Sequence, residues 1–123
     1  MKKILILIFF TLSTYTLAEE KNTTFNQSVF NKAQEDGVTV VINSWNKYCL
    51  TCKKQFSILK EAKKEFPNVL FLSFEQTKDK NIADLLKIDY WSTIVIYKNK
   101  KELFRTIGLT KKSEIYTAIK KNI

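Results

Sequence analysis

Histidine is absent from this 123-residue sequence, and cysteine, glycine and proline are scarce, with two, two and one residues respectively. Without histidine the chain builds no Ser-His-Asp triad, no Cys-His protease pair, and no zinc or haem site that depends on an imidazole ligand. Two cysteines are also too few for a four-cysteine zinc site. Any chemistry must therefore come from thiols, carboxylates, lysines or backbone, and we expect no metal and no cofactor.

Arginine is nearly absent as well. The sequence has 21 Lys+Arg against 12 Asp+Glu, a formal net charge of +9, yet Arg105 is its single arginine. Proteins that read nucleic acids rely on arginine, whose planar fork pairs with guanine and phosphate. The scattered lysines indicate a solvated basic surface, and a docking face for an acidic partner or membrane surface is the alternative. We expect no nucleic-acid partner.

The N-terminal residues have the pattern of a secretory signal peptide. Lys2 and Lys3 precede an apolar run, 4–10, and small and polar residues lead to Ala18. The run is shorter than the roughly 20 residues that span a bilayer, although an uncleaved anchor is the alternative. We predict three segments: a signal peptide over 1–18, a linker over 19–24 and a folded domain over 25–123. Such a chain is periplasmic or secreted, and thiols and disulfides exchange in that environment.

Hydrophobic periodicity predicts helices alternating with strands. An almost continuous apolar run, Val38–Ile42, is typical of a strand that is buried on both faces. Apolar residues then recur at helical spacing and predict an amphipathic helix that ends before Pro67: Cys52, Phe56, Leu59, Ala62 and Phe66. The other predicted elements are a helix over 26–36, a strand over 69–74, a short helix over 82–88, strands over 93–97 and 103–107, and a helix after Thr110. This order predicts one α/β domain.

The two cysteines form the motif Cys49-Leu50-Thr51-Cys52, at the predicted junction between the first strand and the amphipathic helix. Unpaired N–H groups and the partial positive charge of a helix N-terminus stabilise a thiolate there. Because Cys49 lies at the tip of the helix, we expect its sulfur to meet solvent and to form a mixed disulfide, which Cys52 resolves. A structural disulfide and Cu(I) binding are the alternatives. So short a loop restricts the unfolded chain little, which weakens the structural alternative.

The stretch Val40–Lys53, which reads VVINSWNKYCLTCK, resembles the active-site strand and helix start of the thioredoxin superfamily. The stretch Ser92–Asn99 resembles the later family strand that is entered through a cis-proline, and Ile107-Gly108 resembles the glycine before the last helix. The resemblance covers 25–123 and implies a thioredoxin-like α/β fold, with a central mixed β-sheet flanked by helices. The motif and its following lysine look most similar to the C-terminal domain of periplasmic DsbD-type disulfide reductases.

The resemblance also implies roles for individual residues. Cys49 and Cys52 correspond to the catalytic pair of the family. Tyr48, Trp91 and Ser92 correspond to the surface that binds the substrate beside this pair.

Three positions depart from the family pattern. Tyr48 replaces the tryptophan that is usual just before the first cysteine, and as an aromatic lid it can serve similarly. Ser92 stands where the family has its cis-proline, and a cis peptide before another residue costs about 2.5–4 kcal/mol. We therefore expect the Trp91–Ser92 peptide to be strained or trans. Asn43 stands where thioredoxins have a buried acid. Because an amide is neither an acid nor a base, we expect resolution by Cys52 to be slower or to use water.

Together these features predict an exported, monomeric thiol–disulfide oxidoreductase that exchanges electrons with protein disulfides. We expect a reductase or electron carrier rather than an oxidase, since Leu50-Thr51 lacks the histidine that strongly oxidising relatives often have there. A membrane-bound or periplasmic redox partner would have to supply the electrons, because the periplasm is kept oxidising. The alternative is a non-catalytic binding or chaperone module with a thioredoxin fold.

Overall fold

The computed structural model describes residues 23–123, and the predicted signal peptide (1–18) and most of the predicted linker (19–22) lie outside the described residues. Eight elements follow one another: α1 (Gln27–Glu35), β1 (Val40–Trp45), α2 (Leu50–Glu65), β2 (Leu70–Glu75), α3 (Lys80–Leu86), β3 (Thr93–Lys98), β4 (Lys101–Ile107) and α4 (Lys112–Lys121). Their number, type and order are those predicted from the sequence. None of the helices in the described part of the chain is long and apolar enough to cross a membrane.

The four strands form one mixed sheet in the order β2-β1-β3-β4. β1 pairs in parallel with β2 and antiparallel with β3, and β4 pairs antiparallel with β3. The central strand β1 is buried along its whole length, in agreement with its apolar run. The predicted thioredoxin-like fold, a mixed sheet flanked by helices, is therefore confirmed.

Helices pack against both faces of the sheet. Side chains alternate along β1, so Val41 joins the core with α2 and α4, whereas Val40 and Ile42 join the core with α1 and α3. The helices contribute to the first core Leu59, Ala62, Ile115 and Ile119, and to the second Ala33, Ala83 and Leu86. β1 is thus held between two packed layers, and α2, which follows it, packs against one face of the sheet. The cysteine motif between these two elements therefore has a fixed position.

Three strands are longer than predicted, and β3 exceeds its predicted bounds by only one residue, Lys98. β1 continues past Ile42 to Trp45, and β4 begins earlier than expected, at Lys101. In β1, Asn43 and Ser44 have hydrogen-bond partners inside the molecule, so these polar residues stay in the buried strand although they interrupt the apolar run. β4 lies at the edge of the sheet and is largely exposed, so its first residues need no apolar pattern.

The buried face of α2 also differs from the prediction. It consists of Cys52, Gln55, Leu59 and Ala62, and Phe56 is 37% exposed. Steps of three and of four residues both keep side chains on one helix face, so the spacing alone permits either residue after Cys52. Gln55 takes the buried position because its amide group finds hydrogen-bond partners there.

The first described residues run along the outer edge of β2. The backbone N–H groups of Thr24 and Phe25 donate to the carbonyl oxygen of Ser73 at 2.8 and 2.9 Å. Thr23 Oγ1 accepts a hydrogen bond from the N–H of Glu75 at 3.2 Å. The last two residues of the predicted linker are therefore bound to the sheet.

Candidate active site

Cys49 and Cys52 are joined in a disulfide at the N-terminus of α2, with their Cα atoms 5.2 Å apart. Cys49 is the N-cap residue of the helix, and its Sγ accepts a hydrogen bond from the backbone N–H of Cys52 at 3.1 Å. A sulfur in this position accepts a hydrogen bond from a backbone N–H group and also lies at the positive end of the helix dipole. When the disulfide is reduced, the same surroundings stabilise a thiolate at Cys49.

The disulfide is more enclosed than the sequence suggested. Cys52 is fully buried, as expected, but Cys49 keeps only 7% of its surface exposed rather than meeting solvent freely. The cause is Trp45 at the end of β1, which forms a small buried cluster with the two cysteines. A partner disulfide therefore has only a small exposed part of Cys49 to approach.

Exposed apolar side chains flank Cys49 in the sequence. Tyr48 and Leu50, the neighbours of Cys49, are each 74% exposed. The ammonium group of Lys47 lies 5.0 Å from the centre of the Tyr48 ring, at cation–π distance. Exposed apolar groups on both sides of a reactive sulfur favour contact with another protein.

Trp91, the second aromatic residue predicted at the site, is 39% exposed. It lines an open depression together with Asp89, Tyr90 and Ile107. The depression lies at the loop that leads into β3, beside Ser92. Because a tryptophan and an isoleucine supply much of this surface, it suits apolar side chains.

Ser92 adopts a left-handed backbone conformation with a φ of 52°, and all peptide bonds of the described residues are trans. Its N–H donates to the carbonyl oxygen of Ser44 at 3.0 Å, and its own carbonyl oxygen accepts from the N–H of Gly108 at 2.9 Å. Of the two conformations expected at this position, the trans peptide is the one present. A residue other than glycine in this conformation stores backbone strain of about 1–3 kcal/mol, which the surrounding hydrogen bonds have to offset.

Ser44 links the Ser92 loop to the cysteine pair. Its hydroxyl group donates to the carbonyl oxygen of Tyr90 at 2.7 Å and accepts from the N–H of Thr93 at 3.1 Å. Its carbonyl oxygen, which accepts from the N–H of Ser92, also lies 4.0 Å from Cys52 Sγ. In the reduced protein this carbonyl group can accept a hydrogen bond from the Cys52 thiol. This acceptor is a neutral carbonyl group, which cannot take a proton from the thiol.

Asn43, at the position of the family's acid, is buried and takes part in an amide network. Its Nδ2 donates to Gln55 Oε1 at 3.0 Å. Gln55 Nε2 donates in turn to the carbonyl oxygens of Ser92 and Leu109, both at 2.9 Å. Gln55 was not predicted from the sequence as a site residue. The available signal was its place three residues after Cys52, on the face that the helix buries.

The described residues around the cysteine pair do not form a metal-binding site. Among residues 23–123, no group of three or more His, Cys, Asp or Glu side chains is arranged to hold a metal ion. The two sulfurs are bonded to each other. The arrangement suits thiol–disulfide exchange, because Cys49, at the tip of the helix, keeps a small exposed surface and Cys52 lies fully buried behind it.

Comparison with known proteins agrees with this chemistry. The family model for Thioredoxin matches residues 16–121. Thioredoxin H-type of Fagopyrum esculentum is 29% identical over 82 residues, which cover 67% of this chain and 71% of that protein. Thioredoxin H1 of Arabidopsis thaliana is 29% identical over 100 residues, which cover 81% of this chain and 86% of that protein.

Solved structures show the same fold. Thioredoxin NaTrxh from Nicotiana alata gives a TM-score of 0.72 at 22% identity, covering 78% of this chain and 83% of that one. Trxlp from Edwardsiella tarda gives 0.71 at 22% identity, covering 76% of this chain and 92% of that one. Since the family match extends over most of the sequence and a cysteine pair stands at the start of α2, the chain belongs to the thioredoxin family of protein thiol–disulfide oxidoreductases.

Proposed function

We propose that the chain is an exported reductase or electron carrier for protein disulfides. The observation that carries this proposal is the Cys49–Cys52 pair at the N-terminus of α2, where Cys49 keeps 7% of its surface exposed, Cys52 is fully buried, and exposed apolar side chains stand beside Cys49. Tyr48, Leu50 and Trp91 offer contact area for another polypeptide. These features favour a macromolecular disulfide over a small soluble one.

The exchange proceeds in two steps. The Cys49 thiolate attacks one sulfur of the substrate disulfide, so that a mixed disulfide forms and the other substrate sulfur leaves as a thiolate. The Cys52 thiol then loses its proton to water and attacks Cys49 Sγ, which releases the second substrate thiolate. The substrate has gained two electrons and the chain has lost two, ending with the Cys49–Cys52 disulfide.

The residues between the cysteines support the reducing direction. Leu50 and Thr51 carry no charge and donate no hydrogen bond from an imidazole to the Cys49 thiolate. A thiolate that is less stabilised makes the dithiol a better reductant. The direction is tested by equilibrating the protein with glutathione. A midpoint potential of about −270 mV agrees with the proposal, and one of about −120 mV makes the chain an oxidant.

Export is supported by the N-terminal sequence. Lys2 and Lys3, the apolar run 4–10 and Ala18 fit a signal peptide that is cut after residue 18. In that setting a membrane-bound or periplasmic dithiol protein returns electrons to the Cys49–Cys52 disulfide, and the chain acts as a monomer. Mass spectrometry of the protein expressed in a Gram-negative bacterium tests this. Recovery in the periplasm with Glu19 as first residue agrees, and an uncleaved chain in the cytoplasm contradicts it.

The substrate step is tested by trapping. Cys52→Ser leaves Cys49 able to form the mixed disulfide but removes the thiol that resolves it, so partners should accumulate on Cys49. Cys49→Ser is the matched control and should capture none. If folded Cys52→Ser protein captures no partner, or if Cys49→Ser retains full function in the cell, the chain is instead a non-catalytic binding module.

A further inference from the structure

We propose that Gln55 is a positioning residue for exchange with protein disulfides, because its amide group fixes the backbone segments against which the substrate chain docks. This inference rests on the proposed action on protein disulfides. The effect of Gln55 is exerted through Ser92 and Leu109, whose carbonyl oxygens both accept from its amide group.

The amide of Gln55 is fully buried and used at both ends. Its Oε1 accepts from Asn43 Nδ2 at 3.0 Å, and its Nε2 donates to the carbonyl oxygens of Ser92 and Leu109 at 2.9 Å each. Both N–H bonds of Nε2 therefore have an acceptor. One side chain on α2 thus ties together β1, the loop before β3 and the loop after β4.

The Ser92 loop has particular need of this support. Proline would fix its own backbone angle, whereas Ser92 is held in a left-handed conformation without a ring. The described hydrogen bonds of the Ser92 peptide are its N–H to Ser44 and its carbonyl group to Gly108 and Gln55. Gln55 supplies the one side-chain bond among them, and it comes from the helix that begins at the cysteine motif.

The two carbonyl groups that Gln55 holds belong to the two chain segments that line the open depression. Ser92 directly follows the lining residues Tyr90 and Trp91, and Leu109 comes two residues after the lining residue Ile107. Without Gln55, these two segments lose their common attachment to α2. A substrate that binds through its polypeptide chain should suffer from this change, whereas a small disulfide that makes few contacts should suffer much less.

The test compares two disulfides in the full-length protein, with dithiothreitol as the electron source. Gln55→Met keeps the size of the side chain and removes its hydrogen bonds. Rate constants are measured with insulin, a protein disulfide, and with bis(hydroxyethyl) disulfide, which has no peptide backbone. The matched control is Gln34→Met. Gln34 is also buried, but its Oε1 accepts from the N–H of Lys100 in the β3–β4 turn.

We expect the ratio of the insulin rate constant to the small-disulfide rate constant to fall about tenfold in Gln55→Met, mainly through a higher KM for insulin. In Gln34→Met the ratio should stay within about twofold of the parent. A ratio that does not change in Gln55→Met, or an equal loss with both disulfides, overturns the proposal.

Folding is checked by circular dichroism before the rates are compared. If Gln55→Met does not fold, Gln55→Glu repeats the test, since the carboxylate accepts from Asn43 and cannot donate to Ser92 or Leu109. If both variants unfold while Gln34→Met folds, Gln55 serves the fold itself and the proposal is rejected. Parent protein that reduces the small disulfide but not insulin refutes the proposed function instead.

Discussion

Ser92 stands where the family has its cis-proline, and its backbone conformation differs from any that proline can adopt. Its φ of 52° suits glycine and is incompatible with proline, whose ring holds φ at about −65°. Proline would also remove the N–H that donates to Ser44. We therefore predict that Ser92→Pro lowers the free energy of unfolding by about 2–4 kcal/mol, although it restores the family residue.

Ser92→Gly is the companion variant. Glycine relieves the strain of the left-handed conformation and keeps the N–H, at the cost of a more flexible unfolded chain. We expect its free energy of unfolding to lie between that of the parent and a value about 1 kcal/mol higher. Urea denaturation of the oxidised proteins measures both changes. A Ser92→Pro protein as stable as the parent would mean that the loop readily adopts a different backbone conformation.

Asn43 offers a second prediction at the scale of one residue. In Asn43→Asp, a carboxylate replaces the amide that donates to Gln55 Oε1, so two acceptor oxygens face each other in a buried place. We expect the free energy of unfolding at pH 7 to fall by about 1–3 kcal/mol. The loss should shrink in acid, because burial raises the pKa of the new carboxyl group and the protonated form can again donate.

The same variant should accelerate resolution of the mixed disulfide, since it restores the buried acid that the family has at this position, and a carboxylate can take the proton of the Cys52 thiol. Stopped-flow measurement of the second exchange step, together with urea denaturation from pH 4 to pH 8, tests both parts. Asn43→Leu serves as the control, because it removes the donor without adding a base. If Asn43→Leu accelerates resolution as much as Asn43→Asp, proton transfer is not the cause.

At the scale of the element, the start of α2 depends on a sulfur. Cys49 Sγ caps the helix by accepting from the N–H of Cys52, a role that serine also fills well and alanine does not fill. We predict that Cys49→Ser is more stable than Cys49→Ala by about 0.5–2 kcal/mol, with Cys52 kept reduced in both proteins. Urea denaturation with dithiothreitol measures the difference. Equal stabilities would show that the cap bond contributes nothing once the disulfide is gone.

The elements also show what a sequence can and cannot specify. The eight helices and strands follow from apolar periodicity and from breakers such as Gly37 and Pro67, because these are local signals. β1 was predicted too short because the burial of Asn43 and Ser44 depends on partners far away in the chain, among them Gln55 and Tyr90. Hydrogen bonds between residues that are distant in the sequence do not show in its hydrophobic periodicity.

The site divides along the same line. Cys49 and Cys52 could be predicted because the motif, the helix start and the family resemblance all occur within one short stretch. The enclosure of Cys49 by Trp45 and the conformation of Ser92 could not, since each is set by packing between separate elements. Gln55 was missed because a glutamine on an amphipathic helix ordinarily faces solvent.

At the scale of the whole molecule, an ion pair joins the two helices that cover one face of the sheet. Lys112 Nζ on α4 lies 2.7 Å from Glu61 Oε2 on α2, and both groups are exposed. The hydrogen bond and the charge of Lys112 lower the pKa of Glu61, and the hydrogen bond and the charge of Glu61 raise the pKa of Lys112. The pair therefore favours the folded state when both groups are ionised.

Glu61→Gln should expose this contribution as a dependence on pH. Because the folded protein lowers the carboxyl pKa, the contribution is present above about pH 4.3 and is lost as the pH falls through the lowered value. Because the pKa of Lys112 is raised, the contribution is present below about pH 10.4 and is lost as the pH rises through the raised value.

The difference in unfolding free energy between parent and variant should thus be small and constant between these limits and should vanish in acid. Urea denaturation across this range, repeated in about 1 M salt to screen the charges, measures it. A difference that persists in acid or in salt would assign the effect of Glu61 to packing rather than to its charge.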